Sequence, residues 1–152
     1  MGDLSANFSK YKFQCPCCGK VKINPRLITK LEEVRKAIGD IPIKITSGYR
    51  CKKYNQSING YVDSPHLYGL AADTKCKGLT IIEYAFKANY RVEGIRLGIY
   101  PNHLHIDVEK PVPSRYWFVR TYNSTPIYSK NEYDLKKFLI EVKANVVNST
   151  CL

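Results

Sequence analysis

Ile95-Arg96-Leu97-Gly98-Ile99-Tyr100, Pro101-Asn102 and His103-Leu104-His105-Ile106-Asp107-Val108 read in succession as one arm, the turn and the other arm of a β-hairpin. Successive side chains of a strand point to opposite faces, so His103, His105 and Asp107 share one face while Leu104, Ile106 and Val108 share the other. Such a strand has a core behind it and titratable groups in front.

Working outward toward the N-terminus, Asn59 to Asp73 is rich in turn residues and resolves into a short strand of small residues ending at Asp73. Thr80 can cap a helix that carries Ile82, Ala85, Phe86 and Asn89 on one side. Further upstream, Ile41, Ile43 and Ile45 alternate with Pro42, Lys44 and Thr46, a half-buried strand running into the turn Ser47-Gly48. Asn24-Pro25 opens a helix whose Leu27, Leu31, Val34 and Ile38 fall on one stripe, and Gly39 stops it. No internal repeat, low-complexity tract or linker interrupts the chain, which implies a single domain with a C-terminal extension.

At 152 residues the chain can bury a core without staples. With 44% hydrophobic and 24% charged residues, a disordered, collagenous or coiled-coil protein is excluded, and no apolar run reaches the length of a membrane span. Met1 to Asn7 lack the basic and apolar regions of a secretory signal, so synthesis in the cytoplasm without a signal peptide is expected. The net charge of +11 should attract polyanions such as nucleic acid, anionic lipid or anionic wall polymers. Its basic residues are scattered, without an arginine-rich arm, a basic helix or an aromatic ribonucleoprotein motif, which leaves a specific nucleic-acid partner unsupported.

Six cysteines in such a chain suggest thiols or metal ligands rather than a disulfide framework. Cys15, Cys17 and Cys18 stand together in Cys15-Pro16-Cys17-Cys18-Gly19-Lys20, half of a zinc knuckle without a second half. A site built from Cys15, Cys18, Cys51 and Cys76 stands against the plainer expectation of reduced, partly buried thiols.

The chain has only three histidines: His103 and His105 on the hairpin face, and His66 seven residues before Asp73. His66, Asp73 and His105 form a donor set suited to catalytic zinc, which takes three protein ligands and leaves a position open. The alternative is that His66 closes a loop hydrogen bond while the other two lie on an exposed sheet face.

Ser47-Gly48-Tyr49-Arg50-Cys51, Ser64-Pro65-His66-Leu67-Tyr68-Gly69-Leu70-Ala71-Ala72-Asp73, Gly98-Ile99-Tyr100 and His105-Ile106-Asp107-Val108, in this order, resemble the zinc D-alanyl-D-alanine carboxypeptidase family, which includes many phage endolysins. The resemblance runs from about Phe8 to Trp117 and rests on the pattern S-x-H-x-x-G-x-A-x-D followed by H-x-D. It implies an α+β fold shared with the hedgehog signalling domain, a single domain with a small antiparallel sheet packed with helices, and a zinc ion on His66, Asp73 and His105. By the same resemblance Arg50 steadies the substrate carbonyl or oxyanion, Ser64 is the site serine that meets substrate, and Asp107 is the acidic residue two positions past the last ligand. The implied activity is hydrolysis of peptide bonds in peptidoglycan stem or cross-bridge peptides, by a monomer acting on the wall after release from the cell.

Two positions depart from that pattern. Where several relatives have an acidic base three residues before the last ligand, this chain has Asn102, which makes His103 the natural general base or acid, with Asp107 or another carboxylate as the alternative. Where the phage branch has two glycines, Asn59-Gly60 stands. Loss of a base would permit a rival function, a zinc-bearing wall- or protein-binding module without turnover. Residues 118–152 form the extension: Ser129-Lys130-Asn131-Glu132 reads as a capping box, followed by Leu135, Phe138, Leu139 and Val142 on one stripe. Packing on the catalytic domain is expected, against a wall-anchoring role for Tyr116, Trp117, Tyr122 and Tyr128 beside Arg115, Arg120 and Lys130.

Overall fold

Asn24 begins the first helix through its side chain, whose Oδ1 accepts the Arg26 amide at 2.9 Å, while Pro25 takes the first position, where an N–H would have no helical partner. In a computed structural model that describes residues 2–109, 116–118, 127–129, 137 and 140, this helix α1 (Pro25–Ala37) buries Leu27, Ile28, Leu31 and Val34. Ile38, just beyond it, is buried as the stripe predicts.

The sheet has β1 (Ile43–Ser47), β2 (Ala71–Cys76), β3 (Arg96–Ile99), β4 (Leu104–Asp107), β5 (Tyr116–Phe118) and β6 (Ile127–Ser129) in the order β1-β2-β4-β3-β5-β6. The four strands β1 to β4 pair antiparallel, giving the expected α+β fold, and β5 joins β3 in parallel. Strand β5 spans the position where the sequence resemblance ends, and β6, beyond it, pairs antiparallel with β5. Helix α2 is Lys52–Ser57 and α3 is Ile81–Arg91; α3 packs on α1 and on β2, β3 and β4. The core between these layers holds Leu31, Val34, Tyr84, Ala88, Leu97, Leu104 and Ile106, each fully buried. Each such large aliphatic side chain stabilises the fold by about 1.5–3 kcal/mol.

The hairpin register is that of the sequence, with Ile99 opposite Leu104 and Gly98 opposite His105. Strand β4 is inserted between β3 and β2, so His105 also lies opposite Asp73. This second pairing, between residues far apart in sequence, brings the hairpin chemistry to the small-residue strand.

Three local expectations need correction, and one helix had no sequence signal. Strand β2 does not end at Asp73 but continues to Cys76, because Thr74 is drawn into the core, its Oγ1 donating to the Leu104 carbonyl at 2.8 Å and lying 3.0 Å from the Tyr84 hydroxyl. Helix α3 turns Tyr84, Ala85 and Ala88 inward, whereas Phe86 is exposed and stacks on Tyr90. His103 precedes β4 rather than belonging to it. Helix α2 was not signalled by any apolar stripe; it is capped by Cys51 Sγ, which accepts the Tyr54 amide at 3.4 Å. The proposed helix after Glu132, with its Leu135, Phe138, Leu139 and Val142, and the aromatic side chains beyond Trp117 lie outside the described residues. Lys137 and Ile140 are helical and exposed.

Candidate metal centre

His66 is the buried residue of a 3₁₀ turn (Pro65–Tyr68) that Ser64 opens, with the Ser64 carbonyl accepting the Leu67 amide at 2.9 Å. Asp73 comes from the middle of β2 and His105 from β4. The three side chains meet: His66 Nε2 lies 3.2 Å from Asp73 Oδ1 and 3.2 Å from His105 Nδ1, and His105 Nδ1 lies 3.0 Å from Asp73 Oδ1. All three are buried.

The remaining ring nitrogens decide what this triangle is for. His66 Nδ1 lies 2.7 Å from the Gly48 carbonyl, which can only accept, so Nδ1 carries the proton and Nε2 presents a lone pair. His105 Nε2 lies 2.9 Å from Asp107 Oδ2, and Asp107 is a carboxylate, held also by Arg96 Nε at 2.8 Å and Arg96 Nη2 at 3.1 Å. With both outward nitrogens donating, His66 Nε2, Asp73 Oδ1 and His105 Nδ1 face one another across about 3 Å, a space that holds either a proton on His105 Nδ1 or a metal ion. That arrangement asks for a cation. A tetrahedral zinc with bonds of about 2.0–2.1 Å separates its ligands by about 3.3 Å, close to what these atoms show. The donor types fit zinc as well, and a histidine ligand whose far nitrogen is anchored on a carboxylate is a recurrent zinc arrangement.

Electrostatics agree. Burial would raise the Asp73 carboxyl, but His66 and His105 more than offset this and hold it well below the usual range, so it is ionised. Burial pushes the His66 imidazole down, keeping it neutral. Burial would also lower His105, yet its bonds to Asp107 and Asp73 raise it; a metal entering here displaces a proton. Asp107, which burial alone would raise, is lowered by His105 and Arg96.

Arg50 reaches the centre from the loop after β1: one Nη2 bond goes to Asp73 Oδ2 and its Nε donates to Ser47 Oγ at 2.8 Å. His103 faces the same centre, its Nε2 3.7 Å from Asp73 Oδ1, its ring stacked on Tyr100 at 4.3 Å and its Nδ1 2.8 Å from Asn102 Oδ1. Burial lowers the His103 imidazole as well. Asp107, in contrast, is fully buried behind His105 and touches none of the converging atoms.

Two contributors were missed in sequence. Arg96 holds Asp107, and the signal was present, because the hairpin register places them directly opposite each other. Trp117 lies 4.9 Å from His105 ring to ring and donates its Nε1–H to the Tyr100 hydroxyl at 3.1 Å. It lies over Gly98, where a Cβ would come within 2.4 Å of the indole, so glycine is required there. The pairing of β5 with β3 that delivers Trp117 has no local sequence signal. Among the cysteines, Cys15, Cys18 and Cys51 gather with their sulfurs within 4.8 Å of one another, and Cys76, at the end of β2, is outside that group.

Comparison with known proteins gives the arrangement a lineage. A stretch of 44 residues is 43% identical to the zinc D-Ala-D-Ala carboxypeptidase of Streptomyces albus G, covering 29% of this chain and 17% of that protein. The profile of the peptidase M15 family matches residues 6–107, a span that contains Arg50, His66, Asp73, His103, His105 and Asp107. The chain therefore belongs to the peptidase M15 family.

Proposed function

We propose that this protein is a zinc-dependent peptidase that hydrolyses D-amino-acid-containing stem or cross-bridge peptides of bacterial peptidoglycan, in the manner of a phage or prophage lysin. The observation that carries it is the triangle of His66 Nε2, Asp73 Oδ1 and His105 Nδ1, whose outward nitrogens are both already engaged. Family membership and the local match to a zinc D-Ala-D-Ala carboxypeptidase support the substrate class.

His66, Asp73 and His105 would hold the ion. Bound there, zinc supplies Lewis acidity toward a scissile carbonyl and brings the pKa of a water to about 7. The chain's own residues do the rest. With Nδ1–H donated to Asn102, His103 offers a basic Nε2 toward the centre, so Asn102, unable to act as a base, orients one. Arg50 is positioned by Ser47 and Asp73, which leaves further N–H donors of its guanidinium for the carbonyl oxygen of a substrate as charge develops on it. Asp107 fixes the tautomer and orientation of His105 and does not itself meet substrate. Ser64, buried at the start of the turn that carries His66, is assigned to substrate binding beside the first ligand.

Purified protein incubated with bacterial walls should release new peptide termini, identified by mass spectrometry of the muropeptides, and a chelator should stop the release. Because the +11 charge draws the protein to anionic wall polymers through a field screened within about 8 Å at physiological salt, added salt should depress activity on intact walls more than on a small soluble muropeptide. A zinc-loaded protein that cleaves no peptidoglycan-derived peptide at any salt, yet binds walls tightly, would replace the enzyme with a binding module.

A further inference from the structure

None of the cysteines takes part in the chemistry above, yet four of the six stand together. The N-terminal segment turns sharply at Cys15-Pro16-Cys17-Cys18-Gly19-Lys20: the Cys15 amide donates to the Lys20 carbonyl at 2.8 Å, the Gly19 amide to the Cys15 carbonyl at 2.9 Å, and Gly19 takes φ +67, which favours glycine. The turn brings Cys15 and Cys18 to the start of α2, where Cys51 stands, and the three sulfurs lie within 4.8 Å of one another. Cys17, exposed, interacts with Cys51 and with Cys15 from the outer side.

We propose that Cys15, Cys18 and Cys51, with Cys17 in the fourth position, hold a second zinc ion that clasps the N-terminal segment to the loop carrying Arg50. Each of the three inner sulfurs serves as a hydrogen-bond acceptor from backbone. Cys15 Sγ accepts the Cys51 amide at 3.4 Å, Cys51 Sγ accepts the Tyr54 amide at 3.4 Å, and Cys18 is held by the backbone of Lys20. Backbone N–H groups directed at sulfur stabilise thiolates, the form that binds metal. Thiolate sulfurs around a tetrahedral zinc stand about 3.8 Å apart, a distance this group reaches by small side-chain rotations. Of the biological divalent ions, zinc is the one that suits an all-thiolate tetrahedron without redox chemistry. On binding, the thiol protons leave to solvent, and Lys53, a charged neighbour of Cys17, offsets part of the resulting negative charge.

The clasp has a defined mechanical consequence. Tyr49, just before Arg50, donates its amide to the Phe13 carbonyl at 2.9 Å, and Gly48, whose carbonyl anchors His66, is pressed against Phe13, where a Cβ would come within 2.5 Å of the Phe13 Cα. A metal joining Cys15 to Cys51 closes the far end of that contact and fixes the loop from both sides.

The test uses the full chain prepared with reductant and zinc. Native mass spectrometry should find two zinc ions in the parent, one in His105→Ala and one in the double variant Cys17→Ser/Cys18→Ser, whose exposed positions spare the core. Cobalt-loaded His105→Ala should show the near-ultraviolet sulfur-to-cobalt charge-transfer band, and the double variant should lack it. In the parent, zinc should slow alkylation of these thiols, and a chelator should restore it. A parent carrying a single zinc that His105→Ala loses entirely overturns the clasp while leaving the peptidase centre intact. Cobalt-loaded His105→Ala without the band, or thiols alkylated equally fast with and without zinc, overturns it too.

Discussion

His66, Asp73 and His105 are buried on a turn and two neighbouring strands, and the outward nitrogen of each ring is held by an acceptor that is itself anchored, whereas Cys15, Cys18 and Cys51 stand in a loop and at a helix start, with their sulfurs oriented by backbone N–H groups. The surroundings differ as much as the ligands. Around the histidine centre stand Arg50, His103, Tyr100 and Trp117, groups that can move protons, stabilise charge or wall off a substrate. Beside the cysteines stands Lys53. Only the first cluster is equipped to act on something bound in front of it, while the second is equipped to hold the chain. The same fold thus separates a reactive centre, where side chains converge, from a structural one, where the backbone does the orienting.

The sharpest way to break this division is to remove a ligand from one side. His66→Ala or His105→Ala should abolish peptide hydrolysis, because the charge that organises the site goes with the zinc. The cysteine-bound ion should stay. Retention of full zinc content and activity in His105→Ala would end the assignment of the reactive centre. Removal of Cys17 and Cys18 should leave the reactive zinc in place.

A second substitution separates holding the metal from using it. His103→Ala should keep both zinc ions and lose roughly a hundredfold or more in turnover, the usual scale for a general acid or base. Its Nε2 faces Asp73 without joining the triangle, and its partners, Asn102 and the Tyr100 ring, are not ligands. Unchanged kcat in a zinc-loaded His103→Ala would move the proton-transfer role to another group. Arg50→Ala should likewise keep zinc and lose on the order of 3 kcal/mol of transition-state stabilisation if its donors reach the oxyanion.

Much of this was legible in the sequence, and the boundary is physical. The cap at Asn24, the stripe through Leu31 and Val34, and the hairpin from Arg96 to Asp107 are local patterns, decided by residues a few positions apart. So was the grouping of His66, Asp73 and His105, once strand alternation and a family resemblance were combined. What stayed hidden depends on distant partners. Strand β2 runs past Asp73 because Thr74 finds Tyr84 and Leu104, the α3 face is set by how the helix rests on the sheet, and Trp117 reaches Gly98 only through the β3–β5 pairing. The cysteine group was legible in part: Cys15, Cys18 and Cys51 were named together from sequence and do gather, but Cys76, named with them, lies at the end of β2 outside the group.

The smallest expected effect is the most discriminating, because it tests whether the support behind a ligand matters as the comparison requires. Asp107 touches no reacting atom; it holds His105 Nε2 at 2.9 Å and is paired with Arg96. Asp107→Asn should weaken zinc binding at the histidine centre by about 10–100-fold, the usual cost of removing such a support. The substitution also leaves the partly buried Arg96 short of one anionic partner, although Glu109 Oε2 remains 2.6 Å from its Nη2, so some general loss of stability is expected. The cysteine-bound ion separates the two effects within one molecule. A general loosening lowers the affinity of both centres, while loss of the His105 anchor lowers only one. Competition with a chelator, read as the order in which the two zinc ions leave, should therefore show the histidine-bound ion released earlier in Asp107→Asn than in the parent and the cysteine-bound ion unchanged. Equal weakening at both centres would make Asp107 a stabilising residue of the fold and remove it from the support of the metal.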